Sequence, residues 1–212
     1  HILQQASEKG FMIDIAGSKM FRFAHDKIQE AAYELMPEQQ RRENHMRFGL
    51  LLCTHTMKNN VEDDELFFAA INQINQGGPT AVHEPSQMSI IAQLNLKAGR
   101  RSIELSDYIT AFKLFRHGIS FLGNDHWAFN YRLSLELYDA AAEAAVTNNT
   151  ISAVALYTDA VVSHASCFDD KLHCKNTPFL DALFRSTLPT LKINGCYVFP
   201  GLIISAKAIG AH

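Results

Sequence analysis

The first forty residues change hydrophobic period twice. Residues 2–9 read as a short helical piece that stops at Gly10, a residue type suited to the left-handed position after a helix. "FMIDI" (11–15) then alternates apolar and polar side chains, Ala16-Gly17-Ser18-Lys19 supplies turn chemistry, and "MFRFAH" (20–25) alternates again. That pattern predicts a β-hairpin. From Asp26 the period lengthens: Ile28, Ala31, Ala32 and Leu35 share one face of a helix, and Pro37 stops it.

Helix, hairpin and helix in so few residues suggest the last part of a winged-helix unit. From there to about residue 166 the chain reads as helix. "PEQQRRENHMRFGLLLCTHTM" opens with proline and glutamates, which suit a helix N-terminus, and its expected apolar face carries Met46, Leu50, Leu51 and Cys53. "DELFFAAINQIN" is a further helix closed by Gly77-Gly78-Pro79. Four longer segments follow, at about 85–104, 107–122, 126–147 and 150–166.

Those four repeat. Gly99 precedes Ala111 by twelve residues, with Phe115 and Gly118 four and seven beyond it; Ala141 precedes Ala153 by twelve, with Tyr157 and Ala160 four and seven beyond. Small residues recur where two helices would cross, because backbones about 8–10 Å apart leave no room for larger ones. These positions resemble the tetratricopeptide repeat, although Asn95 and Leu137 stand where that motif prefers tryptophan and Ser102 where it prefers tyrosine. The interval of 42 residues exceeds the usual 34, and the excess fits "NDHWAFNY", where Trp127 would mark the next helix. An unrelated helical bundle with alanine-rich contacts is the other reading. The expected organisation is therefore a winged-helix end at 1–37, connecting helices at 38–84, helical repeats at 85–174 and an irregular tail at 175–212. That tail holds at most one helix near 178–186 before Pro189, Gly195 and Pro200. The expected fold class is mainly α, with a winged-helix remnant and its hairpin leading into an antiparallel helix-pair solenoid.

Composition narrows the function classes. The 212 residues are 47% hydrophobic and 19% charged, with a formal net charge of −3, which is globular and gives no electrostatic reason to expect nucleic acid. Four scattered cysteines form no disulfide framework, so a reducing, cytoplasmic setting is expected. The longest apolar run, "YVFPGLIISA", is too short to span a bilayer, so no membrane partner is expected. The chain starts at His1 in what reads as the end of a helix, so an excerpt of something longer is expected.

No phosphate loop, dinucleotide turn, HExxH, GxSxG or CxxC occurs, so no enzyme built on those motifs is encoded. His164, Cys167, His173 and Cys174 cluster, but their spacing matches no standard zinc site, and no metal is expected. "EDDE" (62–65) fits capping of the following helix better than cation binding. Arg41-Arg42 and Arg100-Arg101 read as solvated helix surface, with binding of an acidic partner as the other possibility. "FRFAHDKIQEAAY" remains. Asp26 is expected to cap its helix and His25 to sit at the strand-to-helix corner. There the imidazole is either packed structurally or free to donate to a phosphate oxygen.

An apolar strand, His-Asp and an amphipathic helix after a hairpin resemble the "MHD" corner of STAND-class signalling ATPases. The wording "FRFAHDKIQEAAYELMPEQQRRENHMRFGLLL … INQINQGG … LNLKAGRRS … AFKLF" is similar to one branch of that class: multidomain proteins with a kinase module, an AAA-type ATPase and a helical repeat region. Ala24 stands in place of the motif's methionine, so His25 and Asp26 alone carry over. The resemblance implies that His25 contacts the β-phosphate of ADP and holds an inactive state. It implies that an upstream ATPase domain supplies the phosphate loop, and that the repeats bind a protein partner or input signal. On that reading this chain is a non-catalytic regulatory segment without a cofactor of its own, although the full-length protein binds ADP or ATP. A free-standing tetratricopeptide-like adaptor with no nucleotide link is the second reading. A winged-helix DNA-binding module is a third, disfavoured by the acidic balance and the lack of a basic recognition helix.

Overall fold

The computed structural model describes residues 2–15, 20–59, 63–82, 84–167, 170, 191–193, 196–199 and 202–205. The chain divides into two units, His1–Gln87 and Met88–His212. It is mainly helical, with a small antiparallel hairpin near its start.

In the first unit α1 (Ile2–Glu8) ends at Gly10, whose φ of 76° places it in the left-handed region. Gly10 N donates to Ser7 O and Phe11 N to Ala6 O, which satisfies two terminal carbonyls and turns the chain into the hairpin. Strands β1 (Met12–Ile15) and β2 (Met20–Phe23) pair antiparallel with Met12 opposite Phe23 and Ile15 opposite Met20. The expected turn at 16–19 lies outside the described residues. Next comes α2 (Asp26–Glu34). Its expected apolar face is not covered: Ile28 and Ala32 are half-buried, Ala31 is exposed, and Leu35 is 85% exposed.

The packed part of this unit is the antiparallel pair α3 (Glu38–Asn59) and α4 (Asp64–Gly77). Two glycines set its spacing. A Cβ on Gly49 would lie 2.8 Å from Ala70 O, and one on Gly77 would lie 2.8 Å from Arg42 O, so neither position admits a side chain. The buried stripe of α3 accordingly runs through Met46, Gly49 and Cys53, while Leu51, expected on that face, is 61% exposed. The N-terminus of α4 is capped as the acidic run implies, with Asp63 Oδ1 accepting from Leu66 N at 3.1 Å. Gly78 (φ 71°) closes α4 before a 3₁₀ turn at Pro79–Ala81.

The second unit is built from α5 (Pro85–Glu104), α6 (Tyr108–Ser120), α7 (His126–Phe129), α8 (Tyr131–Thr147) and α9 (Ile151–His164). The single helix expected over 126–147 is split at Asn130. There the Ser134 hydroxyl lies within hydrogen-bond distance of Asn130 O and His126 O, a local side-chain alternative to an unbroken helical ladder. Successive long helices pack antiparallel, as Gly99 against Phe115, Gly118 against Leu137 and Tyr138 against Tyr157 show. The core draws on Ile91, Ala92 and Ala98, then Ala111 and Phe115, then Leu137, Ala141 and Ala145, and finally Val154 and Val161.

The α5–α6 and α8–α9 turns close in the same way. Ser106 (φ 62°) and Asn149 (φ 54°) take left-handed backbone, while Asp107 N donates to Ser102 O and Thr150 N to Ala145 O. The tail expected to be irregular contains β3 (Leu191–Ile193), β4 (Cys196–Phe199) and β5 (Leu202–Ser205), paired antiparallel in that order. Two residues separate each pair of strands, Asn194-Gly195 and Pro200-Gly201. Dipeptides that break a helix are also common between hairpin strands, so breaker residues alone do not make a stretch irregular. The helix suggested near 178–186 lies outside the described residues.

Candidate functional site

The corner begins where the β1–β2 ladder runs out. Ala24 N donates to Phe11 O at 3.0 Å, and His25 then takes extended backbone (φ −150°, ψ 145°). From that position its carbonyl accepts from Ile28 N (2.9 Å) and Gln29 N (3.2 Å), and its own Nδ1 accepts from Lys27 N at 3.0 Å. The helix cap is therefore His25. Asp26, expected in that role, is one residue too late: it is the first helical residue, and its exposed carboxylate can only complement the positive helix end. The expectation erred because aspartate is a far commoner cap than histidine, whereas backbone geometry decides which residue occupies the capping position.

The cap also fixes the ring's chemistry. With Nδ1 accepting, a neutral imidazole carries its proton on Nε2, so His25 presents one N–H donor from an exposed side chain. Beside the corner lies an open concavity lined by Phe23, Asp26, Gln29, Glu30, Ala32, Tyr33 and Met36. Its carboxylates are Asp26 and Glu30, the latter ion-paired with Lys27, and His25 is not part of its lining.

At the far end of α2, Tyr33 links the corner's helix to α3 and α4. Its hydroxyl lies 2.8 Å from His45 Nε2, and His45 Nδ1 lies 2.7 Å from the Gln73 side-chain oxygen. The Arg41 guanidinium sits 5.0 Å over the Tyr33 ring.

In the second unit Gly99 and Phe115 meet, and the other expected packing residues are buried or half-buried. Gly99 faces the Phe115 ring, and a Cβ there would lie 2.6 Å from Cδ1; both residues and Ala111 are buried. Ala141 is buried in α8, Tyr157 is buried in α9, and half-buried Ala153 packs against Ala145 and Val154. Asn95, where the repeat motif prefers tryptophan, is fully buried beside Gly118, and its side-chain amide donates to Ile91 O at 3.1 Å.

A ring cluster at the α7 insertion went unread in the sequence. His126 stacks on Tyr138 (5.6 Å, 17°), Trp127 stacks on His164 (5.0 Å, 5°), and Tyr138 meets Tyr157 edge to face. Aromatic and histidine residues at 126, 127, 131 and 138 were the available signal, but nothing local tied them to residues 157 and 164. As for the cysteine-histidine group, His164 Nδ1 donates to Ala160 O and Cys167 is exposed, while His173 and Cys174 lie outside the described residues. Among the described residues no group of three or more histidine, cysteine or carboxylate side chains could hold a metal ion, and no helix is long and apolar enough to cross a membrane.

No family model, no curated protein and no solved structure matches this chain.

Proposed function

We propose that the chain is a non-catalytic regulatory and protein-interaction segment of a STAND-class, AAA-type signalling ATPase. In this reading residues 1–37 end a winged-helix domain, 38–84 connect it, and 85–174 form a tetratricopeptide-like helical array that binds a protein partner. His25 contacts the nucleotide held by an upstream ATPase domain. The observation that carries the reading is the exposed imidazole at the strand-to-helix corner, with Nδ1 bonded to Lys27 N and Nε2–H left as a donor. A phosphate oxygen is an acceptor for such a donor, and a charge-assisted contact of that kind contributes about 1.5–3 kcal/mol. The Tyr33–His45–Gln73 chain supports a route from the corner's helix into the helices behind it. The paired helices, with their small residues at crossings, support the repeat assignment.

One observation favours the second reading, a free-standing adaptor without a nucleotide link: capping alone accounts for His25 Nδ1. Replacement by aspartate separates the two, because a carboxylate at this position keeps the cap and loses the donor. In the full-length protein His25→Asp and His25→Ala should both speed ADP release, whereas only His25→Ala should destabilise the isolated chain. Equal ADP release from wild type and both variants overturns the nucleotide contact assigned to His25 and leaves its role as the helix cap. The isolated 212-residue chain should show no ATP turnover, since phosphoryl transfer needs a phosphate-binding loop and metal-holding carboxylates.

A further inference from the structure

The segment between α6 and α8 is held by an unusual choice of residue. It is bounded by Gly123 in left-handed backbone (φ 81°) and by the helix break at Asn130. Within α7 the buried residue is a histidine, His126; Trp127 is half-buried, and Ala128 and Phe129 are exposed. The grip on the rest of the unit is thus two adjacent rings. His126 stacks on Tyr138 of α8, and Trp127 lies parallel to His164 of α9 and 5.1 Å from Tyr138.

We propose that this segment is a strap latched onto the α8–α9 pair by the rings of His126, Trp127 and His164, and that mild acid releases it.

The hydrogen bonds place the protons. The Ser134 hydroxyl has one proton and two carbonyls within reach, Asn130 O at 2.9 Å and His126 O at 3.2 Å. It therefore accepts from His126 Nδ1, 2.9 Å away, and a neutral His126 keeps a bare Nε2. His164 Nδ1 donates to Ala160 O, so its bare nitrogen is also Nε2. Acid adds a proton to the bare nitrogen of His126, which makes it a buried cation. The groups facing that ring are the Tyr138 phenol and Ser134 hydroxyl from α8, with Tyr157 behind Tyr138, and from α9 the His164 imidazole. Asp125 precedes it in the chain and makes no capping bond. Burial raises the Tyr138 and Tyr157 phenols, so neither ionises in the relevant range.

Burial first, and the neighbouring His164 charge second, hold His126 below its ordinary value of 6.5. A released strap exposes His126 at that ordinary value and so binds the proton more readily than the latched form. The latch is therefore at full strength above pH 6.5 and weakens as the pH falls toward the depressed value.

Trp127 is the sole tryptophan, so its emission reports the latch directly. On the 212-residue chain the emission maximum should move to the red between pH 8 and pH 5 with a midpoint below 6.5, while the far-ultraviolet helix signal persists. His126→Gln should make the maximum independent of pH. His164→Gln removes one of the two causes of the depressed His126 value and should shrink the acid-driven shift, which decides the matter should His126→Gln fail to fold. His117→Gln should leave the midpoint in place, although burial and the nearby Arg116 also hold His117 low. An emission maximum constant over this range, a transition that survives His126→Gln or moves with His117→Gln, or loss of helix together with the red shift each overturns the proposal.

Discussion

Two stretches of similar composition solve the burial problem in opposite ways. Between Ile2 and Leu35 no described side chain is buried, and Phe11, Met20 and Leu35 are among the large apolar groups left in solvent. Order there comes from backbone pairing, a left-handed glycine and a histidine cap. Between Ile91 and Val161 helices meet closely enough that a Cβ at Gly99 would overlap the Phe115 ring, and Phe115, Leu137 and Val161 are fully enclosed. Exposed groups contribute little to folding free energy, whereas each enclosed Leu, Val or Phe contributes about 1.5–3 kcal/mol. The same kind of substitution should therefore have large consequences in one stretch and small ones in the other.

The largest effect is expected at Phe115. Its ring is fully buried against Gly99, so Phe115→Ala should cost about 3–5 kcal/mol in urea unfolding. Ala111→Leu, at a fully buried neighbour in α6, should cost about 1–3 kcal/mol by overpacking. Gly99→Ala should cost a comparable amount, and much of that cost should disappear when combined with Phe115→Leu, whose side chain leaves room. Unchanged midpoints would place the crossing elsewhere.

A change of opposite sign is expected at Thr158. Its hydroxyl is fully buried and has no hydrogen-bond partner, so Thr158→Val removes an unsatisfied group at nearly constant volume. Stability should rise, by about 1–3 kcal/mol, the range for relieving a buried unpaired polar group. A thermal midpoint lower than wild type would mean that the hydroxyl is paired in solution.

How much of this contrast was legible in the sequence follows from its physics. Periodicity located the helices because a period of 3.6 residues is a local property, and the spacing that set Gly99 against the following helix picked out one pair that meets, Gly99 and Phe115. Periodicity does not say whether an apolar face finds cover. Ile28, Ala31, Ala32 and Leu35 line up as well as any core stripe, yet none of them is buried among the described residues. The break at Asn130 depends on a serine four residues on, the His126–Trp127–His164 stack depends on residues nearly forty positions apart, and the cap depends on backbone angles at His25. Each is a tertiary or geometric choice that a one-dimensional pattern leaves open.

The cap gives a smaller effect. Because His25 Nδ1 holds Lys27 N, His25→Ala should cost about 0.5–2 kcal/mol, whereas His25→Asp should cost nothing or stabilise. Asp26→Ala loses only a favourable charge at the helix start and should cost about 0.3–1 kcal/mol, diminishing in salt. A larger loss for Asp26→Ala than for His25→Ala would return the cap to Asp26.

The smallest effect is expected at Leu35, and it tests the comparison most directly. In an enclosed setting leucine to a small polar residue is among the most damaging of changes, as Leu137→Ser should show in the well-packed stretch. Leu35 ends the same kind of amphipathic pattern but stands 85% exposed just past α2, where its backbone N–H already bonds to Ala31 O. Replacing its side chain leaves that bond in place and removes little apolar area from contact with the protein. Leu35→Ser should therefore stay within about 0.5 kcal/mol of wild type in chemical denaturation. A loss comparable to that of Leu137→Ser would show that the face of α2 is covered in solution, and the contrast between the two stretches would fall with it.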